Sequence, residues 1–451
     1  MDNIKVISET ESLCPICREK ISAVKVLQDN EVYMEKYCGE HGKFKTILWR
    51  GSTPIDRWVR NKKRMYIKNP NTLTEKGCPF DCGLCSSHRQ RTCTALIEVT
   101  GRCNLNCEFC FASSSSIFTP KDPSLEQIKF WYESILKSSG KCNIQLSGGE
   151  PTIRDDLPQV VDMGRKLGFD FIQINTNGIR IAEDEQYVKK LKRSGLNSIF
   201  LQFDGTRDNI YKRLRGRELL NLKMKAVENC SIYGIGVVLV PTLVPGINTD
   251  NIGEIIKFAV GKLPVVRGVH FQPVSYFGRI PHSPKDEDRM TLPEVMDSIE
   301  KQTSGKIKVN SMKPPGCENS LCSFHGNYIL KSKNELISVT NNSNGCCGVE
   351  KAEEGAKKSI KFVSRNWSSR EKNSHEERLH LKRPDTWQNI LYTIKNYSFS
   401  ISAMAFQDIW NIDLERLKDC CIHVVNPEGK LVPFCIYNMT DARGNYIYRN
   451  I

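Results

Sequence analysis

The sequence lacks any long apolar run. Its first residues, Met1 to Lys5, include an aspartate and a lysine where a secretory signal would begin its apolar core. No uninterrupted apolar stretch approaches the roughly 20 residues that span a bilayer. We therefore expect a cytoplasmic protein, with contact at the inner face of the membrane as the alternative. In a reducing compartment, cysteines bind metals more often than they form disulfides.

Acidic residues are fewer than basic ones: the sequence has 51 Asp and Glu against 65 Lys and Arg, which gives a formal charge of +14. This excess favours anionic partners such as phospholipid headgroups or nucleotides. Cysteine, in contrast, is abundant: the 451 residues include 19, and most fall in groups of two or three. The length allows about two to four domains. The cysteine groups predict several metal or iron–sulfur sites in an anaerobic host.

The densest group is the three-cysteine loop of Cys103, Cys107 and Cys110, which stand four and then three residues apart. It directly follows a strand-like segment at 95–100. One such loop can present three thiolates to a four-iron cluster, which normally takes four. One iron is then open to a small chelating ligand. The alternatives are a zinc knuckle and an ordinary four-cysteine site.

A second group stands near the start of the chain. It combines Cys-x-x-Cys with Cys-x-x-His in Cys14, Cys17, Cys38 and His41. Four soft ligands on two turns are typical of a closed tetrahedral site for one zinc or one rubredoxin-like iron. We expect such a site to be structural or to carry electrons.

A third group repeats the four-then-three spacing in Cys78, Cys82 and Cys85. We expect an auxiliary cluster here, with Cys93 as the fourth thiolate. One alternative is His88 in place of Cys93. The other is a second reactive cluster with an open iron.

From Ala95 the chain alternates strand-like and helix-like segments. A capping box at 124–127 opens one of the helices. Six such units predict an α/β fold, a parallel sheet curled into a partial (β/α)₆ barrel. The predicted strands are 96–100, 143–146, 171–175, 198–203, 236–240 and 269–272. The predicted domains are the metal knuckle (1–50), a connector with the auxiliary cysteine motif (51–94), the barrel (95–280) and a C-terminal α+β auxiliary-cluster domain (281–451).

Parallel barrels carry their chemistry at the carboxyl ends of the strands. The second predicted strand ends in Gly148-Gly149-Glu150, where two glycines allow close backbone approach to a ligand beside a carboxylate. Later strand ends and the residues just downstream supply further polar side chains, namely Asn175, Gln202, Asp204 and Arg215.

These motifs resemble those of the radical S-adenosylmethionine (radical SAM) enzymes, across roughly 96–272. The resemblance implies that the three-cysteine loop holds a [4Fe–4S] cluster whose open iron is chelated by SAM. It implies no catalytic residues beyond the cluster ligands, and it implies a reducing partner such as ferredoxin or flavodoxin. Gly148, Gly149 and Glu150 would receive the methionine amino group. The other candidate SAM contacts are Asn175, Gln202, Asp204 and Arg215.

The cysteines after residue 281 are scattered, and we expect some of them to meet around one further cluster. Each adjacent pair, Cys346-Cys347 and Cys420-Cys421, is expected to supply one ligand and one core thiol. The expected ligands of this cluster are Cys317, Cys322, Cys347 and Cys435. The predicted cofactors are thus two or three [4Fe–4S] clusters, SAM, and one mononuclear iron or zinc.

A narrower resemblance, to the archaeal tetraether-lipid synthase branch, covers nearly the whole chain. It rests on the segments 38–44, 96–100, 402–408 and 420–425. It implies radical C–C coupling of isoprenoid ether-lipid chains, which is the function expected first. The alternative is C-methylation of a pterin precursor, 7,8-dihydro-6-hydroxymethylpterin. An electron carrier or a zinc-binding nucleic-acid protein would leave Gly148-Gly149-Glu150 without a purpose, so we expect no nucleic-acid partner.

Overall fold

The computed structural model describes residues 4–67, 70–114, 121–332, 335–340, 350–368 and 387–449. The N-terminal residues form a small antiparallel sheet, in which four strands pair in chain order. Its two cysteine-bearing turns, β1 to β2 and β3 to β4, lie at the same end of the sheet because the hairpins alternate in direction. These strands are β1 Lys5–Leu13, β2 Lys20–Gln28, β3 Glu31–Cys38 and β4 Gly42–Trp49.

The centre of the molecule is a large parallel sheet. All six strands expected from the sequence are present, and each lies beside its neighbours in parallel register. Their apolar residues pack against the surrounding helices, which places the main core outside the barrel wall. The strands are β5 Thr94–Thr100, β6 Asn143–Gly148, β7 Ile172–Thr176, β8 Ser198–Gln202, β9 Gly236–Val240, β10 Thr242–Leu243 and β11 Val266–Pro273.

The C-terminal residues extend this sheet instead of forming a separate layer. One C-terminal strand pairs in parallel with β11 and another with β5, so nine strands, including the short β10 beside β11, run in parallel within the described residues. Three more strands flank them in antiparallel pairing. The C-terminal strands are β12 Ser323–Ser332, β13 Glu335–Ser338, β14 Ser398–Met404, β15 Ile422–Val425 and β16 Leu431–Pro433.

Helices connect the strands and cover the sheet. The first begins at the predicted cap, where the Ser124 side chain accepts from the Gln127 N–H at 3.2 Å. No helix in the described part of the chain is both long and apolar enough to cross a bilayer. The helices are α1 Leu125–Ser139, α2 Leu157–Lys166, α3 Ile179–Glu183, α4 Glu185–Arg193, α5 Asp208–Arg215, α6 Leu220–Tyr233, α7 Ile252–Gly261, α8 Leu292–Gln302, α9 Ala352–Asn366, α10 Trp387–Tyr397, α11 Leu414–Leu417 and α12 Phe434–Asn438.

The charged segment 282–289, just after the expected domain boundary at 280, is fixed to its surroundings. Arg289 donates twice to the Asp408 carboxylate, at 2.8 and 3.0 Å, and both side chains are buried. Asp408 also accepts from the Tyr276 N–H at 3.0 Å. Asp408 thus joins this segment to Tyr276 at the end of the barrel, and the pairing of β11 with a C-terminal strand also crosses the expected boundary at 280.

Candidate active site

The three-cysteine loop begins where β5 ends, at the carboxyl edge of the parallel sheet. Arg279 holds it in place: its Nε donates to the Cys107 carbonyl at 2.8 Å, and its backbone shares two hydrogen bonds with Cys110. Gly278 beside it has φ +69°, and a Cβ there would lie 2.4 Å from the Cys110 carbonyl oxygen. Only glycine therefore permits this close approach.

Gly148 and Gly149 bring the end of β6 against the chain that enters the loop. A Cβ on Gly148 would lie 2.1 Å from the Thr100 carbonyl oxygen, and one on Gly149 would lie 2.0 Å from that of Arg102. The Gly149 N–H donates to Thr100, and the Glu150 N–H donates to Arg102, both at 2.8 Å. The two glycines therefore let two stretches of backbone meet beside the cysteines.

The Glu150 carboxylate is buried and accepts several hydrogen bonds from the protein. One oxygen accepts from the hydroxyls of Thr152 and Thr176 at 2.6 and 2.7 Å, and the other accepts from the Asn177 N–H at 2.6 Å. The Asn177 side chain in turn donates to Asn104 Oδ1 in the cysteine loop at 2.7 Å. Glu150 thus fixes the ends of β6 and β7 relative to the loop.

Asp204 and Arg215 form a buried pair with two hydrogen bonds of 2.7 Å each. Arg215 also contacts the Cys107 thiol. Burial disfavours its charge, but Asp204 and Cys107 outweigh this and raise the pKa of Arg215 above its ordinary value. A permanent cation therefore lies beside one of the predicted cluster ligands.

One residue of the site, Lys223, was not among those predicted from the sequence. Lys223 is fully buried on α6, where its Nζ donates to the Asn177 carbonyl and, at 3.3 Å, to Gln202 Oε1. Burial lowers the pKa of Lys223 to about 8. A lysine at the helical spacing of Leu220, Ala226 and Val227 was the available clue, since that face of α6 points inward.

A cavity of about 550 Å³ lies inside the barrel and brings most of the predicted residues together. Asp204 does not line it and acts through Arg215. The three cysteines and the polar carboxyl ends of the strands line this space together. Such a set of donor groups fits a three-thiolate cluster with SAM on its open iron. The predicted residues on its wall are Cys103, Cys107, Cys110, Gly148, Gly149, Glu150, Asn175, Gln202 and Arg215.

The N-terminal knuckle is assembled as predicted. The ligand atoms of its four side chains all lie within 4.8 Å of one another. Cys14 Sγ and Cys38 Sγ lie 3.7 and 3.5 Å from His41 Nδ1, and Cys17 Sγ lies 3.8 Å from Cys38 Sγ. These separations fit a tetrahedral metal with bonds of about 2.0 to 2.3 Å.

The second three-cysteine loop is held by the C-terminal segment. The Tyr448 hydroxyl donates to the Pro79 carbonyl at 2.7 Å and accepts from the Cys82 N–H at 2.9 Å. Tyr446, two residues earlier, donates to the Phe111 carbonyl at 2.9 Å, just past the first loop. One short segment therefore contacts both three-cysteine loops.

Cys93 does not join the second loop as expected. Its Sγ lies 3.0 Å from that of Cys317, and Cys421 completes a buried group whose sulfur atoms lie within 4.8 Å of one another. The reason is the pairing of β5 with β15, which sets Thr94 opposite Ile422 and so places the preceding cysteines side by side. His88, the alternative ligand, lines a small cavity with Cys78, Cys82 and Cys85.

The four cysteines expected to bind the C-terminal cluster do not form one group among the residues that the structure describes. Cys317 belongs to the group just described, whereas Cys322 accepts from Arg416 Nε at 3.0 Å. Cys435 lies near that guanidinium too. Cys347 and its neighbour Cys346 lie outside the described residues. Of the second adjacent pair, Cys421 is the ligand candidate and Cys420 lies beside Cys435.

Two family models match the chain. Residues 97–259 match the radical SAM superfamily, and residues 6–50 match the HMPTM N-terminal zinc ribbon domain. The matches coincide with the barrel and with the knuckle.

Similar curated proteins extend this picture. The chain is 35% identical to the 7,8-dihydro-6-hydroxymethylpterin dimethyltransferase of Methanocaldococcus jannaschii, over 95% of this chain and 93% of the relative. It is 35% identical to the Fe-coproporphyrin III synthase of Methanosarcina barkeri, over 35% of this chain and 38% of that protein. Among solved structures, SuiB of Streptococcus suis bound to S-adenosylmethionine is 16% identical, with TM-score 0.41 over 48% of each chain. The chain thus spans less than half of that structure.

Proposed function

Because this chain belongs to the radical SAM superfamily, in one family with the pterin dimethyltransferase of M. jannaschii, we propose that it is a methyltransferase acting on a pterin. It is a radical SAM enzyme, with a [4Fe–4S] cluster and SAM as cofactors. The observation that carries the proposal is the similarity over 95% of the chain, which includes the N-terminal knuckle as well as the barrel.

Lipid-chain coupling, the function expected first from the sequence, has no support in these comparisons. The activity of the M. jannaschii relative is the alternative that the sequence left open. The inner wall of the barrel also favours the alternative, because it carries many amide and hydroxyl groups. An isoprenoid chain would remove water from those groups without offering them hydrogen bonds.

The residues of the site have distinct roles. Cys103, Cys107 and Cys110 would hold the cluster, and the strand ends at Gly148 to Glu150 would lie against the methionine end of SAM. When bound and reduced, this cofactor pair supplies a carbon radical able to remove hydrogen from an unactivated C–H bond. Arg215 places a positive charge beside Cys107, and Glu150 positions the strand ends.

The remaining cysteines would carry electrons or stabilise the fold. We place an auxiliary cluster at Cys78, Cys82 and Cys85, with His88 as the nearby ligand candidate. A further soft-ligand site is assigned to Cys93, Cys317 and Cys421. The knuckle would take one zinc or iron.

The test is an anaerobic assay with reconstituted protein, dithionite and SAM that carries ¹³C in its methyl group. 7,8-Dihydro-6-hydroxymethylpterin should raise the yield of 5′-deoxyadenosine, and mass spectrometry should show a pterin with one or two added methyl groups. The label in the product then tells whether SAM is the methyl donor. A parallel reaction contains an archaeal diether lipid. Deoxyadenosine that responds to the lipid alone would overturn the proposal.

A further inference from the structure

The inner face of the barrel wall carries a row of amide and hydroxyl side chains among its apolar and aromatic ones. Parallel barrels normally fill their interior with branched apolar side chains. Here Asn143, Gln145 and Ser147 of β6 line the cavity, whereas Ile144 and Leu146 between them are fully buried in the outer core. Neighbouring strands continue the pattern with Asn175, Gln202, Gln272, Asn327, Ser400 and Ser402.

Two of these amides, Asn175 and Asn327, have a free acceptor in the part of the chain that the structure describes. Asn175 is already a candidate SAM contact, so Asn327 is the acceptor left for a second ligand. The Asn327 side-chain oxygen is buried and has no hydrogen-bond partner within the described ranges. Asn327 stands opposite Ser400 in the pairing of β12 with β14, and the two side chains share the cavity face. A buried carbonyl without a partner is costly, so the position favours a ligand that brings an N–H group to it.

Three aromatic rings lie at the same level of the barrel. Phe200 and Trp367 are stacked with centroids 5.6 Å apart and planes 27° apart, and His270 lies 5.3 Å from Phe200. The indole N–H of Trp367 donates to Ser400 Oγ at 3.2 Å, which fixes the ring beside Asn327. All three rings line the cavity and offer flat surfaces to a flat ligand.

The charged side chains on the cavity wall already have hydrogen-bond partners in the protein. Arg60 and Lys358 each contact the Glu350 carboxylate at 2.7 Å, and Glu318 accepts from Ser323 Oγ at 2.5 Å. The two remaining charged residues, Glu150 and Arg215, have the partners described above. His270 is buried, and its Nδ1 forms a hydrogen bond of 2.8 Å with Ser402 Oγ. Burial lowers the pKa of His270 to about 4. The groups that contact Trp367, namely Phe200, His270 and Ser400, are therefore uncharged.

We infer that the middle of the barrel binds a neutral, planar nitrogen heterocycle, with Trp367 as its stacking surface and Asn327 as the acceptor for one of its N–H groups. This inference rests on the proposed function and deepens it, since a pterin ring has this shape and these donors. Asn327 and Trp367 thus determine which substrate is accepted, and the carboxyl edge of the barrel holds the SAM site.

Binding to the complete, anaerobically reconstituted protein tests the inference without any turnover. The probe is oxidised 6-hydroxymethylpterin, followed by quenching of its own fluorescence. We expect Asn327→Leu to weaken binding at least tenfold and Trp367→Leu to do so about tenfold, whereas Trp367→Phe keeps most of the affinity. Circular dichroism and iron content identify any variant that fails to fold, and Asn327→Ala then replaces Asn327→Leu.

Two exposed positions supply matched controls. Asn221 is exposed on α6, and Trp387 on α10 is 77% exposed. The control variants are Asn221→Leu and Trp387→Leu. Both should bind the probe like the parent protein. Equal affinity in all variants would overturn the inference while leaving pterin methylation intact.

Other ligands separate this inference from the proposed function. If guanine binds with the same dependence on Asn327 and Trp367 while the pterin does not, the heterocycle site is supported and the pterin proposal fails. A diether lipid in micelles that binds more tightly to Asn327→Leu than to the parent would overturn the inference, because the cavity would then be an apolar tunnel. Absence of binding by every heterocycle would overturn it as well.

Discussion

Glu150 joins three parts of the chain through a single carboxylate. Its oxygens accept hydrogen bonds from the Thr152 and Thr176 hydroxyls and from the Asn177 N–H. The Asn177 side chain in turn donates to the cysteine loop. In Glu150→Gln one of these acceptors becomes an NH₂ group that faces a donor. We expect the free energy of unfolding to fall by about 1.5 to 3 kcal/mol, in the range of hydrogen bonds to charged groups, and SAM to bind more weakly.

Anaerobic denaturant titration and equilibrium dialysis with SAM measure these two quantities. Glu9→Gln, on the exposed face of β1, is the control and should change neither. Unchanged stability in Glu150→Gln would show that the hydrogen-bond network does not hold the strand ends.

Cys103 is the ligand that most directly tests which loop is reactive. Cys103→Ala should abolish 5′-deoxyadenosine formation because the cluster loses one of its three thiolates, while the metal of the knuckle stays bound. Metal analysis and the SAM cleavage assay check both points, and Cys230→Ala, a buried thiol in the core, is the control. Persistent cleavage in Cys103→Ala would transfer the reactive cluster to the loop of Cys78, Cys82 and Cys85.

The ligand groups show where sequence spacing is informative. The knuckle could be predicted because both pairs of its ligands lie on short turns of adjacent hairpins. Cys93 was assigned to the nearest loop in sequence, yet its partners Cys317 and Cys421 are more than 200 residues away. Spacing reports only local geometry, whereas that group is created by the pairing of β5 with β15.

Among the elements, the turn after β11 decides where the cysteine loop can lie. Gly278→Ala forces an alanine into a left-handed conformation and sets its Cβ against the carbonyl oxygens of Cys110 and Phe111. We expect a loss of cluster iron and at least a tenfold loss of SAM cleavage. Iron and sulfide analysis with the deoxyadenosine assay provides the measurement.

Gly305 offers a matched comparison for this turn. Its φ is +71°, close to that of Gly278, but a Cβ there would meet no atom within 4 Å. Gly305→Ala should therefore lose some stability and keep its iron and its activity. Equal losses in the two variants would attribute the effect to backbone strain alone.

The six central strands could be predicted because each combines a short apolar run with a following helix and a polar end. β14 and β15 could not be placed in the sheet in this way. Their sequences are strand-like, but nothing local tells that one pairs with β11 and the other with β5. For the same reason, the expected boundary at 280 separates residues that the sheet unites.

For the molecule as a whole, buried histidines predict sensitivity to acid. Burial lowers the pKa of His88 and of His270 to about 4, and it lowers the pKa values of His325 and His423 as well. Between pH 6.5 and 4 the unfolded chain binds protons that the folded chain refuses, so stability is lost as the pH falls through this window. Between pH 7 and pH 5, the free energy of unfolding of His270→Gln should fall by about 2 kcal/mol less than that of the parent protein.

Denaturant titrations at the two pH values give this difference, and loss of metal in acid affects parent and variant alike. His282→Gln, at an exposed position, controls for the removal of one histidine. An identical pH response in His270→Gln and the parent would mean that His270 takes up its proton without unfolding.

The contacts of Tyr446 and Tyr448 with both cysteine loops have a consequence for how the enzyme matures. Tyr446 lies 333 residues after Ser113, which it contacts at 2.8 Å. At about 5 to 20 residues per second, a ribosome needs on the order of tens of seconds to cover that distance. During this time the growing chain exposes both loops without the segment that later covers them. The interval is a natural opportunity for iron and sulfide to be inserted, before the finished C-terminal segment closes over the loops.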